Sequence, residues 1–190
     1  EGQAHLLNKK EAFALPLGLR DLIAARIDTL PDHARRLLEI VTVMGLTFGA
    51  PLAERSFALE LGGVRQLGAD GQTDTEGVAH NAMERLVQAD LLVLENTEGQ
   101  GHFANRLVWE VVMRQLVGQR RRVTHRAVAE GISSFGDEGL VDLHRVSLAR
   151  HLAAAGAFLQ AAQHGHIVVE KLIRQQLLEP ASLAVEKALA

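Results

Sequence analysis

The chain has 190 residues, of which 47% are hydrophobic and 23% charged, and this composition excludes an intrinsically disordered protein. Lys and Arg total 20 against 23 Asp and Glu, so the net charge of −3 excludes a global electrostatic attraction for nucleic acid. The absence of cysteine excludes disulfides and thiolate metal sites, and no apolar run reaches the roughly 20 residues that span a bilayer, so we expect a cytoplasmic protein without a membrane partner.

The first two predicted elements are helices. Residues 17–28 place apolar side chains three and four positions apart, which is typical of an amphipathic helix. Thr29 and Pro31 supply a capping oxygen and a pre-set φ for a second helix over about 32–44, which Gly45 is placed to end. The predicted core positions of that second helix are Ala34, Leu37, Leu38, Val41 and Met44.

The middle of the chain combines helices with one β-hairpin. A short helix is predicted from Pro51 through Leu59, and the glycine-rich residues 61–77 are predicted to form a loop. A further helix follows over 78–89. Two apolar runs, 91–95 and 102–105, flank a turn rich in Gly and Asn and predict the hairpin.

The rest of the chain is predicted to be helical. Abundant Ala, Leu and Val with only 4% aromatic residues favour helix packing over an aromatic-rich sandwich. The periodic segments are 107–116, 119–135, 140–155, 158–175 and a last helix from about residue 181. Because that last helix is still open at Ala190, we expect the chain to be part of a longer protein.

Three helices followed by a hairpin is the plan of a winged-helix unit, in which residues 78–89 would be the helix that enters a DNA groove. The fold class that we predict is therefore mainly α, with a winged-helix-like lobe that contains one β-hairpin, followed by an antiparallel helical lobe.

Five stretches resemble the region that follows the nucleotide-binding core in STAND-type ATPases, including the large LuxR-type regulators and the AAA-like segments attached to nucleotidyl cyclases. They are LPLGLRDLIAARIDTLPDHARRLL at 15–38, ERLVQADLL at 84–92, GHFANRLVWEVV at 101–112, RRRVTHRAVAE at 120–130 and LARHLAAAG at 148–156. The first resembles the passage from the ATPase lid into the first winged-helix helix, and the last resembles the start of a tetratricopeptide-like (TPR-like) array.

The resemblance implies three regions: residues 1–30 as the end of an ATPase-lid-like helix, 31–117 as a winged-helix-like domain, and 118–190 as a truncated TPR-like region. The chain departs from the family at Asn105, where members usually have His, and in the length of the loop at 61–77. The Gly-x-x-x-x-Gly-Lys-Ser/Thr loop that binds triphosphate does not occur in the sequence. We therefore expect no cofactor in this chain, and ATP and Mg²⁺ only in a domain upstream of it.

The strongest local positive cluster is a candidate patch for phosphate contacts or protein interaction. Its members are Arg114, Arg120, Arg121, Arg122 and Arg126. The alternative is that these side chains form a solvated helix face, which is common in an acidic protein.

The remaining reactive side chains suggest structural roles. His144 and His151 would lie about 10 Å apart along one helix, which is too far for a shared zinc ion, so no metal site is predicted. No nucleophile or acid–base pair has the spacing of a catalytic site, and we expect no enzyme activity. Trp109 and Phe103 are interpreted as packing residues.

Two functions follow as hypotheses. The first is a non-catalytic regulatory module of a STAND-type signal-transduction ATPase, which contacts the ATPase core within the same protein and an unknown signalling partner. The parent could be an adenylate or guanylate cyclase or a transcription regulator. The alternative is a DNA-binding winged-helix module of a transcription regulator.

Overall fold

The computed structural model describes residues 17–65, 74–95, 99–136, 142–174 and 185–187, and these form a mainly helical protein with one small antiparallel sheet. The elements in chain order are α1 (Leu17–Asp28), α2 (Asp32–Met44), β1 (Thr47–Gly49), α3 (Ala50–Arg65), α4 (Thr75–Gln88), β2 (Leu92–Leu94), β3 (Gln100–Phe103), α5 (Arg106–Gln115), α6 (Gly118–Ser133), α7 (Asp142–Ala154) and α8 (Phe158–Arg174). The mainly helical prediction is confirmed.

Helix α2 lies at the centre of the core. Eight of its residues are buried, and α3, α4, α5, α6 and β1 all pack against it. Leu37, Leu38 and Val41 have no exposed surface, as their spacing predicts, whereas Met44 is only half-buried. Burial of this helix removes a large apolar area from water, which is the main favourable contribution to folding.

The sheet has the strand order β1-β3-β2, with both pairs antiparallel. The predicted hairpin of β2 and β3 is confirmed, but the sequence analysis missed β1, whose three residues are too short to show a period of two. Phe48 lies opposite Gly101, and a Cβ at Gly101 would approach the Phe48 ring to 2.5 Å. Glycine is therefore required at this position for the ring to lie across the sheet.

Two local predictions are wrong. The Thr29 hydroxyl donates to the Arg26 carbonyl at the end of α1, while Pro31 occupies the N-cap of α2 without a side-chain hydrogen bond. The loop predicted over 61–77 is helical at both ends, since α3 continues to Arg65 and α4 begins at Thr75, where the Asp74 carboxylate caps the Gly77 amide. Leu61 packs on the core, so tertiary contact outweighs the low helix propensity of the glycines.

The C-terminal helices pack onto the same core. Helix α6 contacts α2, α3 and α7, and Leu148 of α7 belongs to the hydrophobic cluster that α2 centres. Helices α7 and α8 are antiparallel, because Lys171 near the end of α8 pairs with Asp142 at the start of α7 over 2.7 Å. Gly156, at φ +85°, makes the turn between them as predicted.

Two predictions fall partly outside the described residues, namely the last helix and the lid-like region over 1–30, of which only residues 17–30 are described. Of the last predicted helix only residues 185–187 are described, and they are helical. The regional boundary between 117 and 118 remains a prediction. No described helix is long and apolar enough to span a membrane.

The contact between α3 and α6 depends on the absence of a side chain at Gly131. A Cβ there would lie 2.9 Å from the Ser56 Cβ and 3.1 Å from its Cα. We therefore expect Gly131→Ala to lower the free energy of unfolding by about 1–3 kcal/mol, because the two helices must move apart. Urea denaturation followed by circular dichroism measures this change.

Gly62 provides the matched control, since it is also helical and a Cβ there would meet no atom within 4 Å. Gly62→Ala should raise the free energy of unfolding by about 0.5–1 kcal/mol through helix propensity. If Gly131→Ala also raised it, the close approach of α3 and α6 would be wrong.

Candidate functional site

The predicted arginine patch is not one surface. Arg114 is in α5, and the four arginines of α6 diverge because successive helical residues are rotated by roughly 100°. Arg122 and Arg126 share an exposed face, Arg121 lies toward His125, and Arg120 turns to Glu39 of α2. The structure therefore brings together only Arg122 and Arg126, and a phosphate-contact role for the cluster remains a prediction.

Arg120 belongs to a charge network at the junction of α2 and α6. Its Nε donates to both carboxylate oxygens of Glu39, at 2.9 and 3.0 Å, and its Nη2 lies 2.8 Å from Oε1. The Glu39 residue is only 8% exposed. A buried carboxylate requires such partners, because an unpaired charge in the interior is strongly unfavourable.

Arg36 joins the same network from within α2. Its Nη1 donates to Glu39 over 2.6 Å, and its Nη2 donates to Glu60 of α3 over 2.7 Å. The Thr124 hydroxyl of α6 accepts a third bond. Burial lowers the pKa of Arg36, but the hydrogen bonds and charges of Glu60 and Glu39 outweigh it, and the net pKa is raised. Two cations and two anions thus fasten α3 and α6 to α2.

Two buried histidines connect α6 to α7. The Nδ1 atoms of His125 and His151 are 2.9 Å apart, and the residues are 6% and 1% exposed. Arg150 donates to Nε2 of His151 over 3.3 Å, so this nitrogen carries the lone pair. The Nδ1–H of His151 must then donate to Nδ1 of His125, which places the proton of His125 on Nε2.

Both rings are neutral in the folded protein. Burial, followed by the charges of Arg121 and Arg150, lowers the pKa of His125 from 6.5 to about 4. Burial, Arg150 and His125 lower the pKa of His151 to about 3. Nε2 of His125 is buried and has no hydrogen-bond partner among the described residues. This N–H is therefore an unsatisfied donor in the junction.

The sequence analysis also considered metal ligands and two aromatic residues. Within the described ranges, no three His, Asp or Glu side chains are grouped to hold a metal ion. Phe103 is buried, and Trp109 packs against the core and donates its indole N–H to the Thr42 carbonyl over 2.9 Å. Phe103 is a packing residue, as interpreted, whereas Trp109 packs against the core and also lines a surface pocket.

The exposed or half-buried charged residues of α4, of the adjoining part of α3 and of the hairpin are mostly acidic, and we call this set of residues the α4–hairpin face. Its charged members are Glu54, Arg55, Glu76, Glu84, Arg85 and Glu95, which are four carboxylates and two guanidinium groups. His80 lies between Glu54 and Glu84, at 3.3 and 3.6 Å. The hairpin sequence over 92–103 contains neither Lys nor Arg.

Helix α8 carries an apolar stripe on its outer face. Phe158, Ala162, Val169 and Ile173 repeat at helical spacing, and Phe158 and Ile173 are 70% and 50% exposed. Leu159 beside them is 74% exposed. Exposed apolar side chains at helical spacing are typical of a helix that packs against a partner.

The sequence analysis missed Glu39, Arg36, Glu60 and His125. A signal for the first two exists, because Arg36 and Glu39 fall within the apolar run of α2 at an i,i+3 spacing. The chain has no significant match to a family model, to a curated protein or to a solved structure.

Removing the Glu39 carboxylate should destabilise the fold. Glu39→Gln removes the negative charge that Arg36 and Arg120 share and puts an NH₂ donor in place of one acceptor oxygen, so the free energy of unfolding should fall by about 2–3 kcal/mol. Arg120→Gln should cost only about 1 kcal/mol, because its side chain is 57% exposed. Glu130→Gln, an exposed site on α6, is the control. Equal effects of Glu39→Gln and Glu130→Gln in urea denaturation would contradict the network.

The histidine pair should make stability depend on pH. Above pH 6.5 both rings are neutral in the folded and unfolded chains, and stability is full. Below pH 6.5 the unfolded chain takes up protons that the folded rings bind only near pH 4 and 3, so stability falls through this window. At pH 5 the loss should reach about 2 kcal/mol per histidine.

Urea denaturation between pH 7 and 4.5 measures this loss. The variant His125→Asn/His151→Asn keeps a polar atom near each Nδ1 position but does not titrate, so its stability should change less with pH. His144→Gln, at an exposed histidine of α7, is the control. The assignment fails if the double variant and the wild type have the same slope.

Proposed function

We propose that the chain is a non-catalytic regulatory module of a larger STAND-type signal-transduction ATPase. It couples the nucleotide state of an upstream ATPase core to an output through intramolecular and protein–protein contacts. ATP and Mg²⁺ would bind in that core, and the setting would be the cytoplasm. The parent's output domain would be a nucleotidyl cyclase or a transcription regulator.

The order of elements supports this proposal. The sequence α2, β1, α3, α4, β2, β3 with β3 central in the sheet agrees with a winged-helix-like unit, in which α4 takes the position of the recognition helix. The antiparallel pair α7–α8 agrees with the first repeat of a TPR-like array. In such arrays each helical pair is covered by the next pair. The exposed apolar stripe of α8 is suited to being covered in this way.

The observation that carries the choice between the two functions is the charge of the α4–hairpin face. A DNA-binding winged helix would present this face to phosphates, which repel its four carboxylates more strongly than its two arginines attract them. Arg120, the centre of the predicted basic cluster, has its charge neutralised by Glu39. A protein-contact role therefore accounts for these surfaces better than DNA binding does.

Fluorescence anisotropy with a labelled duplex, at about 50 and 200 mM salt, tests this proposal. The wild-type chain should show no saturable binding at micromolar concentration at either salt. Sub-micromolar, steeply salt-dependent binding that Arg121→Ala/Arg122→Ala/Arg126→Ala abolishes would instead establish the DNA-binding alternative.

A charge-reversed variant tests whether the α4–hairpin face is the surface that would meet DNA. Glu84→Lys/Glu95→Lys should gain salt-dependent duplex binding, because it changes the sign of the face where a winged helix meets DNA. Glu130→Lys/Glu170→Lys has the same net charge but alters exposed sites of α6 and α8, and should gain much less. Equal gains in duplex binding would mean that the α4–hairpin face is not the surface that meets DNA.

A further inference from the structure

A pocket of about 330 Å³ lies at the junction between the α2–α5–α6 layer and the α7–α8 pair. Its volume is at the lower end of the range of small-molecule sites, which is about 300–1,000 Å³. Its lining includes Trp109, Met113, Arg121, His125, Arg150 and Phe158. Two of them are arginines, and none is a carboxylate.

The polar groups of this pocket have unused hydrogen-bonding capacity. Among the described residues Arg121 forms no ion pair, and Arg150 makes one hydrogen bond, to His151. The buried His125 ring also lines the pocket, but its Nε2 has less than 1 Å² of accessible surface, so the polar groups open to a ligand are the two guanidinium groups.

The two guanidinium groups determine which charge a ligand of this pocket would carry. Each presents several N–H donors in a planar fork that matches a carboxylate or a phosphate. Burial, followed by the charges of Arg121 and Arg150, lowers the pKa of His125, so both cations lie near this wall of the pocket. The ligand head group should therefore be an anion.

The remaining wall is apolar. Trp109, Met113 and Phe158 line it together with two alanines of α7. Phe158 is 70% exposed, although it is an aromatic side chain beside a cavity. Covering these side chains with an apolar ligand would remove their surface from water. An inorganic ion would leave this wall exposed.

We propose that this pocket binds a small organic anion. Its carboxylate or phosphate is held by Arg121 and Arg150, and its aliphatic or aromatic body lies against Trp109, Met113 and Phe158. The proposal does not rest on the regulatory function. Because the pocket joins α5 and α6 to α7 and α8, the bound anion would stabilise the packing of the helical pair on the core.

The chain contains a single tryptophan and no tyrosine, so the fluorescence of Trp109 reports directly on this pocket. The probes are hexanoate, hexyl phosphate, hexanamide and inorganic phosphate, which vary the head group and the apolar body separately. Hexanoate or hexyl phosphate should change the emission saturably, with a dissociation constant of about 1 mM or lower. The better of the two identifies the preferred head group.

Hexanamide and inorganic phosphate should each bind at least about tenfold more weakly, since one lacks the charge and the other lacks the apolar body. Arg121→Gln should weaken the binding of the better probe by about tenfold or more, whereas Arg122→Gln, at the next exposed arginine of α6, should leave it unchanged. Both variants should retain the wild-type melting temperature.

Three outcomes would overturn the proposal. They are the absence of a saturable response to either organic anion, equal binding of hexanamide or inorganic phosphate, and equal effects of Arg121→Gln and Arg122→Gln. Each can be distinguished from failure of the regulatory function, because none of these measurements involves DNA or a protein partner.

Discussion

The burial of α2 is the constraint on which the rest of the structure depends. This helix is covered by α3, α4, α5, α6 and β1, so side chains on almost every side of it must be accommodated in the interior. Arg36 and Glu39 are charged members of that helix, and they become compatible with burial only because Glu60 and Arg120 complete their charge network. The position of α6 follows from this requirement.

Much of the helical framework is predictable from local sequence, because α2, α5 and α6 carry apolar residues at helical spacing. What could not be predicted depends on partners distant in sequence. Strand β1 exists because β3 pairs with it, and α3 extends through two glycines because Leu61 reaches the core. The candidate site shows the same limit, since a basic run gives no indication that Arg120 faces Glu39, 81 residues away.

The functional proposal depends on how the fold distributes its arginines. Arg36 and Arg120 are paired with carboxylates of the same chain, and Arg121 and Arg150 line a pocket at the α6–α7 junction. The α4–hairpin face is left acidic. A surface arranged in this way suits contacts with proteins and a small anion better than contacts with a phosphate backbone. Such contacts influence the rest of the chain only if the helical pair and the α2-centred core respond together.

The central claim is therefore that α7 and the α2-centred core form one cooperative unit, joined by Leu148 and by the pair of His125 and His151. Hydrogen exchange measured against denaturant concentration tests this claim most directly. The account predicts that the protected amides of α2, α6 and α7 converge on one free energy of opening. If α7 opened at a free energy several kcal/mol below that of α2, the two regions would be independent, and a contact at the helical pair could not be coupled to the core in the way described.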